Sequence, residues 1–297
     1  MPHPLPVLVL AGPTSAGKTS AAIHVAHRWG ARIVSADAMQ VYRGMDIGTG
    51  KAHPAILRLF PHACVDVRDL DAPFSAMDFA AEAERVIAEG QPVVIAGGTV
   101  FYLRALLYGL VEAPSADRAL RAHLEALEDP WSELQRVDPA LAARLHPHDR
   151  VRIVRGLEVH ALTGRPLSAL HAEDRQAPRL PHRVLWLDRQ DLRERMDLRV
   201  ARMMARGYLA EVRHLLEFDW SRDLKPMQSL GYRHLADHLL DGLPLEEAVW
   251  RTRRDTWRFA KKQRGWARQH PHWERIDATD RAAVLAAATA LWGAPVR

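Results

Sequence analysis

The chain has 297 residues, enough to bury a full α/β core and still carry a second, smaller unit. Hydrophobic residues at 48% and charged residues at 26% exclude a disordered or fibrous chain, and no apolar run approaches the roughly 20 residues that cross a bilayer. The single cysteine, Cys64, excludes an internal disulfide and a cysteine-built zinc site, and the net charge is +5. No basic leader precedes the first apolar run, so the expected setting is the reducing cytoplasm, with no membrane association. The sixteen histidines include HPHD (146–149) and HPHW (270–273), which imitate ligand spacing. Without cysteines or converging carboxylates they read as surface histidines.

VLVLA (7–11) predicts a buried strand, followed at once by GPTSAGKTS (12–20) and a helix over 18–28. Gly12, Gly17, Lys18 and Thr19 meet the spacing G-x-x-x-x-G-K-[ST]. Glycines let such a loop wrap so that backbone N–H groups point at phosphate oxygens. The helix N-terminus adds partial positive charge, Lys18 reaches the outer phosphate, and the Thr19 hydroxyl can hold Mg²⁺. The candidate phosphate site is therefore Gly12, Pro13, Thr14, Ser15, Ala16, Gly17, Lys18 and Thr19, with Thr19 as the metal ligand. A plain glycine turn between strand and helix is the competing reading, and the strand in front of the loop argues against it. ARIVSAD (31–37) predicts a second strand ending in an acid, FAAEAERVIAEG (79–90) a helix, and PVVIAGGT (92–99) a third strand. Apolar strands separated by helices indicate a parallel sheet flanked by helices, with ligands beyond the carboxyl ends of the strands. The phosphate loop, Asp37 and Gly97–Thr99 share that edge.

Asp37 reads either as a helix N-cap or as a carboxylate that takes a proton from a nucleophile beside the phosphate; its position favours the second. Gln40, Tyr42 and Arg43 offer an amide, a ring and a cation to a planar substrate. The strand at 92–99 ends in two glycines and Thr99, where an ATPase often carries a Mg²⁺-organising acid. Asp188 ends another strand, so this weakens an ATP-dependent reading without excluding it. Residues 113–182 break the strand-helix rhythm and predict a helical insertion domain, including a helix over 149–164. The remaining 1–112 and 183–297 form the core. HRVLWLD (182–188) predicts a returning strand, and helices follow at 191–206, 208–218, 229–240 and 245–268.

Residues 251–268 hold eight Lys or Arg against one Asp. On a helix, Val249, Thr252, Thr256, Phe259, Gln263 and Trp266 form one stripe, which reads as packing. Arg251, Arg254, Arg258, Lys261 and Lys262 form another, which reads as a face for a polyphosphate partner rather than a merely solvated one. Trp250, Trp257 and Trp266 read as core. Arg121, Arg152, Arg155, Arg206 and Arg213 offer further cations for a phosphate donor or a nucleic acid.

The strings GPTSAGKT, VSADAMQVYRGMDIGTGK, AGGTVFYLRALLYGL, RMDLRVARMMARGYLAEVRHL, MQSLGYRHL and RRDTWRFAKKQRGWAR together resemble the bacterial tRNA dimethylallyltransferases, over nearly the whole chain. The resemblance implies a P-loop NTPase-like α/β fold with a helical C-terminal region. It implies transfer of a dimethylallyl group from dimethylallyl diphosphate to N6 of adenosine 37 in the anticodon loop of tRNA, with Mg²⁺ as cofactor. Asp37, Thr99 and Lys18 would be catalytic, and Arg213 would join the loop around the diphosphate. Asp37, Ala38, Met39, Gln40, Thr99, Arg121, Arg152, Arg155, Gln228, Gly231 and Arg233 would face tRNA, as would Arg254, Arg258, Lys261, Lys262, Arg264 and Arg268. The family also implies a monomer, and the sequence itself makes no obligate protein partner evident. This chain departs from the usual pattern at Ala38, where Ser is common, at Gly50–Ala52, and in the order of residues 15–17. The alternatives are a P-loop small-molecule or nucleotide kinase using ATP, which leaves the basic helix and the two glycines unexplained, and a non-catalytic GTPase-like switch, for which no guanine-reading motif is evident.

Overall fold

The computed structural model describes residues 5–111, 113–114, 117–173, 177–218 and 220–296. They form two compact units: Met1–Leu107 joined with Pro178–Arg297, and Tyr108–Ala177. In chain order the first unit begins β1 (Val7–Ala11), α1 (Lys18–Trp29), β2 (Arg32–Ala36), α2 (Pro54–Leu59), β3 (His62–Ala63), α3 (Ala76–Ile87), β4 (Val93–Gly97) and α4 (Val100–Tyr108). The second unit holds α5 (Arg118–Glu125), α6 (Pro130–Val137), α7 (Pro139–Ala142), α8 (Arg150–Thr163) and α9 (Leu167–Glu173). The first unit then resumes with β5 (His182–Asp188), α10 (Leu192–Ala205), α11 (Tyr208–Glu217), α12 (Tyr232–Asp241), α13 (Leu245–Arg268), β6 (Glu274–Asp277) and α14 (Arg281–Trp292).

The six strands make one parallel sheet in the order β3-β2-β4-β1-β5-β6. The apolar runs predicted as strands are its centre: every residue of β1 and β4 is buried, as a sheet covered on both faces requires. β3 and β6 were not foreseen. The first is two residues long, and β6 is the mostly exposed sequence ERID, so neither carries an apolar run. α3 starts three residues before the predicted helix because Ser75 and Asp78 form a capping box there. α12 starts at Tyr232, since Gly231 before it has a φ of 86°.

One layer of the core packs α1 and α14 on the sheet, with Val25, Trp29 and Ala287 against Leu8, Leu10 and Leu185. The Trp29 indole donates to the Gly293 carbonyl at 3.0 Å, and the Trp292 indole to the Pro6 carbonyl at 2.8 Å. The closed end of the sheet, opposite its carboxyl edge, is stitched there.

The second unit has its own apolar core of Leu124, Leu134, Ile153, Val154, Leu157 and Val159. Within it Glu158, fully buried, accepts from Arg121 at 2.7 Å, from Arg155 at 2.5 Å and from the Asp117 N–H at 3.0 Å. Burial alone would push this carboxyl up, but the two guanidiniums outweigh it and hold it below the usual carboxylate range. The unit starts and ends about five residues earlier than the 113–182 read from the sequence. Ser115 and Ala116, at the start of that predicted helical stretch, lie outside the described residues. The chain after the unit rejoins the first at once, with the Arg179 N–H donating to the Leu107 carbonyl at 2.8 Å and the Val7 N–H to Pro181 at 2.9 Å. No helix among the described residues is long and apolar enough to cross a membrane.

Candidate active site

The carboxyl ends of β1, β2 and β4 lie in register, Ala11 and Ala36 each beside Gly97. Beyond them opens a cleft of about 1140 Å³ within the first unit, walled by the phosphate loop, residues 35–51, the start of α4, α10, residues 228–233 and α13.

The loop from Gly12 to Gly17 wraps as its glycines demand. Gly12 has a φ of 152°, and a Cβ there would lie 2.3 Å from the Leu187 carbonyl oxygen; Gly17 enters α1 with a φ of 98°. Ser15 also takes a positive φ of 65°, and its hydroxyl is buried without a partner. Lys18 folds back over the loop and donates to the Pro13 carbonyl at 2.7 Å. Burial pushes its pKa down to about 8, with Asp37 pulling it up and Arg199 pulling it down. Thr19, at the first turn of α1, is exposed on the cleft wall.

Asp37 follows β2 and forms a turn in which its Oδ1 accepts from the Met39 N–H at 2.9 Å and the Gln40 N–H at 3.4 Å. Thr99 sits beside it: its hydroxyl accepts from the Ala38 N–H at 3.1 Å, and its own N–H donates to the Ala36 carbonyl at 3.1 Å. Gly97 is required between them, because a Cβ there would lie 2.1 Å from the Ala36 carbonyl oxygen. Lys18, Thr19, Asp37, Ala38, Met39, Gln40 and Thr99 all line the one cleft. Gln40 is held by the Ser35 hydroxyl at 2.9 Å and the Thr49 carbonyl at 3.3 Å, so its amide is a fixture of the wall.

A second set of cations faces the loop, and sequence reasoning missed most of it. Arg195, Arg199, Arg202 and Arg206 line the cleft from α10 and the residue after it. Their spacing of four, three and four residues is one helical stripe, which was the available signal. Arg195 donates to the Ser15 carbonyl at 3.3 Å and Arg199 to the Thr49 carbonyl at 3.1 Å. Gly50 accounts for the position of Arg199: with its φ of 69°, a Cβ would meet the guanidinium at 2.1 Å. Arg213, by contrast, is exposed on α11 and is not part of the cleft wall, because Val212 and Leu215 turn the opposite side of that helix inward.

Glu211 was also missed. It accepts from the N–H groups of Asp46 at 3.0 Å, Ile47 at 2.6 Å and Gly48 at 3.0 Å, and from the Tyr232 hydroxyl at 2.6 Å. A carboxylate thus fills a backbone nest and fixes the wall that holds Thr49 and Gly50. Lys51, buried, completes that loop by pairing with Asp46 at 2.7 Å and Asp66 at 2.5 Å.

α13 departs from the wheel drawn on its sequence. Thr252, Thr256, Phe259, Gln263 and Trp266, the stripe read as packing, line the cleft, and Phe259 is exposed. The residues that pack elsewhere are small, Ala248, Ala260 and Ala267, which is why a search for large apolar positions passed them over. Trp250 is exposed with Arg254 above its ring at 4.9 Å, so it is not core. Trp257 lies partly buried beneath Lys261 at 5.2 Å. The cationic stripe is organised rather than free. Asp255, 7% exposed, gathers Arg254 at 2.8 Å, Arg233 at 2.7 Å and Arg258 at 3.4 Å, and the hydrogen bonds from Arg254 and Arg233 hold its carboxyl well below the usual range. Arg264 forks onto Asp188 at 2.7 and 2.9 Å, a strut from α13 to the end of β5 that commits both partners. Gln228, Arg233, Arg258 and Lys262 line the cleft, while Gly231 lies directly against Tyr208 and Arg268 is exposed. In the second unit, Arg121 and Arg155 are taken up by Glu158, and Arg152 pairs with Asp149 at 2.7 Å.

A sequence model described as IPP transferase matches residues 40–270 of this chain. A tRNA dimethylallyltransferase of Geobacter sulfurreducens is 44% identical over 89% of this chain and 89% of its own length. Another, from Citrifermentans bemidjiense, is 43% identical over 88% of each. The crystal structure of a tRNA isopentenylpyrophosphate transferase from Bacillus halodurans superposes with a TM-score of 0.71 at 28% identity, covering 97% of this chain and 96% of that one. A eukaryotic dimethylallyltransferase acting on tRNA superposes with a TM-score of 0.79 at 26% identity, covering 94% and 75%. Nothing in these likenesses favours an ATP-dependent kinase.

Proposed function

This chain belongs to the IPP transferase family, and from that premise we propose that it transfers a dimethylallyl group from dimethylallyl diphosphate to N6 of adenosine 37 in tRNA. The observation that carries the reading is the meeting, in one cleft, of the phosphate loop, the α10 arginines, and Asp37 beside Thr99. The adenine amine is a poor nucleophile, because its lone pair is delocalised into the ring. Loop N–H groups, Lys18 and the arginines stabilise the negative charge that grows on the leaving diphosphate, which makes the allylic carbon electrophilic. The nitrogen forms its bond to that carbon as the carbon–oxygen bond breaks. Pyrophosphate departs, and Asp37 accepts the amine proton. Asp37 is held for this by the Met39 N–H, and Thr99 tethers the same turn through the Ala38 N–H.

The residues present suit Mg²⁺. Thr19 offers a hydroxyl oxygen on the cleft wall beside the phosphate loop, a hard donor of the kind this ion takes. When bound, it would neutralise charge on the diphosphate. The tRNA would be held by the cations of α13 with Gln228 and Arg233, its target base drawn out of an unpaired loop. We place the reaction in the cytoplasm and assign it to a monomer. Incubation with dimethylallyl diphosphate and unmodified tRNA, followed by mass analysis of the nucleosides, tests the reading: one added dimethylallyl group on adenosine is expected, and unmodified adenosine throughout would overturn it.

A further inference from the structure

Gln263 lies on the cleft side of α13 but is only 5% exposed. Its carbonyl oxygen accepts from the Thr14 N–H at 3.0 Å, and its amide nitrogen donates to the Gly98 carbonyl at 2.9 Å. Three separate backbones therefore meet at one side chain: the phosphate loop, the end of β4 that leads into Thr99, and the helix that carries Arg258 and Lys262. Gly98 is cut to fit this amide. A Cβ there would lie 2.3 Å from the Gln263 amide nitrogen and 3.0 Å from the Gly12 carbonyl oxygen, which accounts for the second glycine of AGGT. One N–H of the phosphate loop is thereby committed to α13 rather than left for an anion.

We propose that Gln263 is a positioning residue that couples the donor site to the RNA site, an inference that rests on the functional reading above. RNA phosphates on the cations of α13 fix the helix. Through Gln263 that order reaches the phosphate loop and the turn that holds Asp37. Linkage makes the effect reciprocal, so bound diphosphate strengthens RNA binding by the same factor.

The test is a titration of inorganic pyrophosphate, in magnesium-containing buffer, onto wild-type protein and Gln263→Met, each with and without an anticodon stem-loop RNA. Methionine keeps the volume and makes neither hydrogen bond. In the wild type the two pyrophosphate affinities should differ by about 5- to 150-fold. In Gln263→Met the ratio should collapse toward one while the affinity for RNA alone changes little. Gly98→Ala displaces the same amide from the opposite side and should collapse the ratio too. A residue that merely packs would lower the melting temperature and leave the ratio at its wild-type value. That outcome in both variants, or a wild-type ratio of one, overturns the coupling alone. Wild-type protein that binds pyrophosphate but no RNA overturns the functional reading and the coupling with it.

Discussion

Asp37 can be separated from its surroundings by a change that keeps its shape. Its Oδ1 accepts two backbone N–H groups, a task an asparagine oxygen also performs. Asp37→Asn should therefore keep the turn and the RNA affinity while prenyl transfer falls by about 10²- to 10⁴-fold, the usual worth of a general base; equal loss of binding and turnover would make Asp37 a binding residue. Lys18 predicts a pH dependence. Burial pushes its pKa down to about 8, so its attraction for the diphosphate is full well below that pH and fades as pH rises through it. The donor kcat/KM should fall on the alkaline side, and Lys18→Arg should flatten that limb if the group is the one titrating. Lys18 was legible from the spacing of the phosphate loop, and Asp37 and Thr99 because each follows closely on a strand end. Glu211 was not, since its partners at 46–48 are more than 160 residues away and a lone glutamate on a helix looks solvated.

At the scale of elements, α13 separates cations that hold the fold from those offered outward. Arg264 is locked on Asp188, and Arg254 shares Asp255 with its neighbours. The exposed Arg258, Lys261 and Lys262 are the better test of RNA contact. Replacing all three with Gln should reduce the slope of log affinity against log salt by about 2–3. An unchanged slope would place the RNA elsewhere. The central strands were readable from their continuous apolar runs and most helices from their bounds, while the buried face of α13 was not. What escaped were elements whose neighbours, rather than their own residues, make them: β3 and β6 as short or polar edge strands, and the α10 stripe, whose arginines look like any solvated helix face until the phosphate loop stands opposite.

For the whole molecule, the second unit is an excursion whose two ends meet at a hydrogen bond, Arg179 to Leu107, inside the first. Its core and its buried Glu158 cluster are its own. A chain in which 108–177 is replaced by a short Gly/Ser linker of about four residues should still fold, melt cooperatively and bind pyrophosphate. Loss of the folded core would show that the units depend on each other. The insertion was legible as a break in the alternation of strands and helices, but its edges were read about five residues late, although Gly109 and Pro178 punctuate the chain beside them. The nine tryptophans are distributed in a way that gives the molecule an optical readout of its own. Trp29 and Trp292 are pinned at the closed end of the sheet, whereas Trp266 looks into the cleft. Emission from the first two should hold steady when pyrophosphate enters the cleft while that of Trp266 is quenched, so that Trp266→Phe should remove most of the pyrophosphate-dependent change and leave a steady internal reference.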